Sequence, residues 1–269
     1  MSSISAGTAA GTALVSTGDT SGALQLQVNG TTPSVTLAAN GSIGVGSTPG
    51  YGTNGQVLTS SGTGSAPTWV TPGGGFSAMS VVTASSTFTI PSGKTTMKIT
   101  VVGGGGGGGS YNTGITGGNS TVASGTQTIS TITGGGGTGG VGSNQTWVPI
   151  NNGGTGSGGT LNIQGGTGLA GNTQTVYTSG NGGGSILGNG GSGTYQAAAP
   201  NGLNGTGYGG GGGGGQTGSG AGGGGAAITY LTSLTPGNTL TVTIGAGGAG
   251  NASGPTAGNG AAGVVIFEY

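Results

Sequence analysis

Residues 103–109 are seven consecutive glycines, entered directly from the strand-like stretch TMKITVV. Ordering a glycine costs roughly 0.5–1 kcal/mol more than ordering an alanine. A net backbone hydrogen bond returns about 0.5–1.5 kcal/mol. Such a run therefore either never orders, or orders in a lattice that pairs nearly every N–H and C=O. The run has company: 51 of the 123 residues from 103 to 225 are glycine. They fall in blocks: GGGGTGG at 134–140, GGTGSGG at 153–159, GNGGGS at 180–185, GYGGGGGGGQ at 207–216 and GAGGGGA at 220–226. The chain has no strict G-X-Y period here, and proline only at Pro149 and Pro200, which excludes collagen. A flexible tether needs neither blocks nor strands at both ends. The left-handed extended helix with three residues per turn and about 3.1 Å rise has no internal hydrogen bonds. Without Cβ atoms, such helices can approach closely and bond to one another. Blocks of five to seven glycines match single helices roughly 15–22 Å long. The insert 103–225 is thus predicted to be a bundle of polyglycine-II helices, joined by short links containing Asn, Thr and Tyr.

Strong strand signals bracket the insert. Residues 76–102 contain SVVTA, STFTIP and KTTMKITVV; residues 226–269 contain AAITYLTSL, TLTVTIG and GVVIFEY. These are β-branched, aromatic and alternating, and PSG and TPGN turns bound them. The two halves are expected to form one small antiparallel β-sandwich, with residues 96–102 and 263–269 as neighbouring strands. Residues 76–269 then make one glycine-rich domain. Residues 1–72 read differently. LQLQV, SVTL and SIGV alternate with period two between turn signals such as Asn40-Gly41, and Trp69 is the one large side chain of GQVLTSSGTGSAPTWV. Runs this short leave a single copy with little core. A thin fibre, in which several chains share one narrow core, suits them. The predicted class is all-β with polyglycine-II helices: a fibre-like region at 1–72, then a β frame around a glycine bundle.

Composition excludes most chemistry. Charged residues are 1% of the chain, namely Asp19, Lys94, Lys98 and Glu268, where an ordinary domain has about 25%. The net charge is zero and 30% of residues are hydrophobic, so the self-repulsion that keeps disordered chains expanded is missing. With no His and no Cys there is no zinc site of the usual kind, no cysteine nucleophile and no Ser-His-Asp triad. Asp19 and Glu268 stand at opposite ends of the chain, and two lysines make no phosphate-binding stripe. The expectation is a non-enzymatic protein without cofactor, metal or nucleic-acid partner. The N-terminus MSSISAGTAAGTALV lacks a basic n-region and a long apolar core, and no segment is apolar for 18 residues. A signal peptide of the common type and a membrane helix are not expected.

The stretch FTIPSGKTTMKITVVGGGGGGG, with GAGGGGAAITYLTSLTPGNTLTVTIGAGGAG and GNGAAGVVIFEY far downstream, resembles the glycine-rich domain of bacteriophage tail-fibre and adhesin proteins. STGDTSGALQLQVNG and GQVLTSSGTGSAPTWV also look like phage fibre sequence. The resemblance covers nearly the whole chain, and its most specific part is the strand frame around the glycine block. It implies a polyglycine-II sandwich, loops at the distal end that bind a host receptor, a trimeric fibre, and a virion location after synthesis in the host cytoplasm. The implied partners are other copies of the chain, a second tail or fibre protein held through residues 1–72, and a host surface glycan or outer-membrane protein. A shaft of only about 70 residues departs from long fibres and suits a short fibre, a fibre-tip subunit or a decoration.

Charge-free recognition of a cell surface would use aromatic faces together with Asn, Thr and Gln hydrogen bonds. The candidate contact residues are Trp147, Tyr111, Tyr177, Tyr195 and Tyr208. Trp147, in SNQTWVPINN, is the sharpest of them, and covering the end of the glycine bundle is its alternative role. Two other functions stay open: a structural virion or extracellular filament protein without receptor role, and an ice-binding protein. The last needs a flat, regular threonine face, for which the chain offers threonines but no fixed period.

Overall fold

The computed structural model of the chain describes residues 22–28, 32–72, 75–142, 150–172, 178–195 and 201–269. Among these residues the protein is all-β, with fifteen strands in antiparallel sheets and no helix. The chain divides into two compact units, Met1–Gly74 and Gly75–Tyr269.

In the first unit, β1 (Leu24–Val28), β2 (Thr32–Leu37) and β3 (Ile43–Val45) form a three-stranded meander. The β2–β3 turn uses Gly41 at φ 82°, and the Asn40 Oδ1 accepts from the Ser42 N–H at 3.0 Å. β4 (Val57–Thr59) and β5 (Thr68–Val70) make a separate hairpin. The Trp69 indole N–H donates to the Gly50 carbonyl at 2.9 Å, and its ring lies where any Cβ on Gly52 would stand. Val45 is the one buried hydrophobic side chain among the described residues of this unit. Leu24, Leu26, Leu37, Ile43, Leu58 and Val70 are all more than two-fifths exposed. An apolar cavity of about 600 Å³ opens among Val35, Ile43, Val45, Leu58, Ala66 and Pro67.

The second unit is framed by a sandwich. β6 (Met79–Val82), β7 (Ser86–Thr89), β8 (Met97–Val102), β13 (Ala226–Leu231), β14 (Thr239–Thr243) and β15 (Val264–Glu268) fall on the strand signals of the sequence. β8 is a central strand between β13 and β15, with Val102 opposite Val264 and Lys98 opposite Glu268. The insert is not glycine runs alone. It also supplies β9 (Ser120–Ser124), β10 (Ile132–Gly134), β11 (Gly156–Ser157) and β12 (Leu161–Ile163). The resulting sheets run β11-β10-β9-β14-β7 and β12-β13-β8-β15-β6. Alternate residues of both meet in one core: Met97, Ile99, Val101, Val265 and Phe267 from one sheet, Val122, Ile132, Leu240 and Val242 from the other. Phe88 stacks on Phe267 with centroids 3.8 Å apart.

The glycine runs leave the frame from these strands and return to them. Residues 103–109 donate in rotation to three returning runs, at 2.8–3.0 Å. Gly103, Gly106 and Gly109 donate to the Gly225, Gly222 and Ser219 carbonyls; Gly104 and Gly107 to Gly118 and Ile115; Gly105 and Gly108 to Ala261 and Gly258. The carbonyls of Gly104 to Gly109 accept, again in threes, from Gly137 and Gly140, from Gly248 and Asn251, and from Gly212 and Gly215. Six runs therefore surround residues 103–109. Residues 209–215 and 218–225 make bonds of the same kind to runs on every side, and like 103–109 they are buried. Residues 103–109 and 209–215 are the longest unbroken glycine blocks of the chain. A Cβ added to any of their glycines would strike backbone.

Peripheral runs need glycine only on the inward side. Gly114 and Gly117, Gly202 and Gly205, and Gly245 and Gly248 are each three apart, with Ile115, Leu203 and Ala246 between them facing solvent. Asparagines close the bonds that the periphery leaves open. Backbone N–H groups donate to their Oδ1 atoms: Gly136 to Asn119 (2.8 Å), Gly193 to Asn181 (2.7 Å), Thr256 to Asn201 (2.9 Å), Asn259 to Asn204 (2.8 Å) and Gly250 to Asn259 (2.8 Å).

Candidate functional site

The end of residues 103–109 away from the frame is a pole where connections between runs gather. Ser110, buried, closes the central run, and its N–H donates to the Asn112 carbonyl at 3.1 Å. Beside it is the turn at Gln216 and Thr217, where Gln216 adopts φ 42° and the Gly218 N–H donates to the Gly215 carbonyl at 2.8 Å. The Gly215 N–H reaches the Gly109 carbonyl at 2.9 Å, and the Gly180 carbonyl accepts from Gly214 at the same level. Thr178, Ser179, Thr194 and Tyr195 follow just beyond that level, joined by the Thr178–Tyr195 bridge and the Ser179–Thr194 hydroxyl contact at 2.9 Å.

Tyr111 is 42% exposed and is positioned by a second connection. Its ring covers Gly254, which sits at φ +76°, so that a Cβ at 254 would fall inside the ring. The Asn112 amide reaches the Ser253 hydroxyl at 3.4 Å, and the Asn251 Oδ1 caps the Ser253 N–H at 3.0 Å. Asn201 extends this strip through its bond to Thr256. The result is one polar, uncharged surface: an exposed phenol, amides and hydroxyls on backbone anchored in the glycine runs. Tyr195, 65% exposed, stands at the same pole.

The five sequence candidates separate. Tyr111 and Tyr195 lie at the pole. Tyr208 sits at the opposite end, half-buried at the turn that precedes residues 209–215, where it packs against Val102, Ala226 and Val264 of the frame. Trp147 and Tyr177 lie outside the described residues. Asn112, Ser253 and Gly254 were not among the candidates. The signal for Ser253 and Gly254 is the spacer NASGP, which interrupts the glycine pattern between two frame strands, and Asn112 directly follows the candidate Tyr111. Lys94, Lys98 and Glu268 all belong to the frame; Lys94 donates to the Ser77 hydroxyl at 2.8 Å. Among the described residues no three metal-ligating side chains cluster. No family model, curated protein or solved structure matches the chain.

Proposed function

We propose that the chain is a bacteriophage tail-fibre or adhesin subunit, a non-enzymatic virion protein that attaches to a host surface through the loop pole of its glycine-rich unit. In this reading the glycine runs are polyglycine-II helices. The observation that carries it is the threefold rotation of partners along residues 103–109: every third N–H meets the same neighbouring run. This is the pattern a helix of three residues per turn produces. Such a lattice is a rigid stem, and rigid elements present binding loops with little loss of conformational entropy. The uncharged strip around Tyr111 and Tyr195 then suits a glycan or an outer-membrane protein, read by aromatic faces and amides. The first unit, with one buried hydrophobic side chain among its described residues, is the part that assembles into a homotrimer and joins another tail protein.

Fluorescently labelled protein applied to a panel of bacterial strains tests the role. It should decorate particular strains, and Tyr111→Ser or Tyr195→Ser should reduce decoration at an unchanged unfolding midpoint. Retained binding by the double variant would remove the pole from the reading; binding to no strain would remove attachment. The exposed leucines of the first unit also favour the filament alternative, in which purified chains elongate into fibrils visible by electron microscopy. The ice-binding alternative gains one observation: Thr87, Thr121, Thr133, Thr241 and Thr243 occupy neighbouring register positions on one sheet without any period along the chain. Thermal hysteresis of the purified protein decides it.

A further inference from the structure

The two sheets of the frame turn opposite kinds of surface outward. On β11-β10-β9-β14-β7 the outward rows are hydroxyl-bearing: Thr133 is opposite Thr121, Thr121 opposite Thr243, and Thr241 opposite Thr87. On β12-β13-β8-β15-β6 one outward row reads Leu161, Ile228, Thr100, Ile266, Val81. The next reads Tyr230, Lys98, Glu268, Met79, and Phe76 stacks on Tyr230 with centroids 6.0 Å apart. Met79 is 62% exposed, Tyr230 58%, Leu161 54%, Val81 46% and Phe76 44%. The same charge-poor composition supplied both faces. Threonine was available for the second and stands on the first.

An apolar patch beyond a few hundred Å² on a soluble protein marks an interaction surface. At roughly 200 Å² for a large side chain, five that are about half exposed leave on the order of 500 Å². The half-buried Ile228 and Ile266 between them extend this towards the roughly 800 Å² that each partner contributes to a stable interface. The charges on the face, Lys98 and Glu268, satisfy each other at 2.7 Å. The two rows therefore carry no unpaired charge, and Lys94, which reaches the Ser77 hydroxyl beside Phe76, stands at their margin.

We infer that the outer face of β12-β13-β8-β15-β6 is a self-association surface, covered in the assembled protein by a second copy of this chain. A neutral apolar face meets another copy without like-charge repulsion. The first unit, with one buried hydrophobic side chain among its described residues, independently favours association with other copies. That the face is covered stands on the contrast between the sheets; that a second copy covers it rests also on the fibre-subunit reading.

The chain contains no cysteine, so single thiols report cleanly. The full chain is prepared as Val81→Cys, as Leu161→Cys and, on the hydroxyl-bearing sheet, as Thr241→Cys. Mass by light scattering, maleimide labelling rate and cross-linking by a short bismaleimide are measured on each. The expected result is an oligomer in which the thiols at 81 and 161 label at least about tenfold more slowly than that at 241 and cross-link to another copy. An oligomer whose thiol at 81 labels as fast as that at 241, without cross-linking, overturns the interface and leaves the fibre reading intact. A monomer with all three thiols reactive overturns both. A monomer with protected thiols overturns the inference in favour of cover by the chain's own residues.

Discussion

A single methyl group on Gly106 tests the lattice most directly. Gly106 donates to the Gly222 carbonyl at 3.0 Å and accepts from the Gly212 N–H at 2.9 Å. Its absent Cβ would point at a third run, well inside contact distance of the Thr138 carbonyl oxygen, 2.6 Å from the Thr138 carbonyl carbon and 2.8 Å from the Gly137 oxygen. These are backbone atoms and cannot rotate away. Relief requires residues 137 and 138 to move off, which stretches the bonds from Gly222 to Thr138, from Gly137 to Gly104 and from Gly140 to Gly107. Three or four buried bonds at about 1 kcal/mol each, with more for any group left unpaired, put Gly106→Ala at about 4 kcal/mol of destabilisation. For a unit of this size that is a fall in midpoint of about 10 °C. Gly184→Ala is the control. Its Cβ would meet the Gly188 oxygen at 3.0 Å and nothing else within 3.7 Å, so a change within about 1 kcal/mol is expected. Differential scanning calorimetry of both variants checks the order. Equal midpoints for the two would refute the claim that backbone packing, and not glycine content, holds the runs together.

Asn204→Ala leaves the Asn259 N–H without its side-chain acceptor, and should cost about 1 kcal/mol by thermal unfolding, since the site is exposed and water substitutes in part. Glu268→Gln removes a partly exposed ion pair and should shift stability by less than about 1 kcal/mol. Trp69→Ala deletes the bond to the Gly50 carbonyl and the ring that packs on Gly52, so first units carrying it should be more readily cleaved by protease while the second unit stays intact. Under the proposed attachment role, adsorption to cells should hardly weaken between low and physiological salt, because a chain with four charged side chains has few ion pairs to screen; adsorption measured across a salt series reads this out.

Strands and glycine runs were legible in the sequence because both are written in adjacent residues. Alternation placed β8, β13, β14 and β15, and unbroken glycine at 103–109 and 209–215 belongs to runs enclosed on all sides, where no direction is open to a side chain. β9 to β12 were not legible. STVAS, ITG, GS and LNI are too short to carry a period; β9 and β12 are strands because β14 and β13, more than sixty residues away in sequence, offer them edges, and β10 and β11 then add in turn to β9. The same holds for the pole. Tyr111 and Tyr208 each adjoin a seven-glycine block and look alike along the chain, yet one follows its run and the other precedes it, which puts them at opposite ends. Asn201 and Asn204 read as link residues, and only the approach of residues 256–259 gives their amides an N–H to hold. Local backbone preference is a property of neighbours in sequence; a partner for each N–H, and the face a strand turns outward, exist only once distant segments have met.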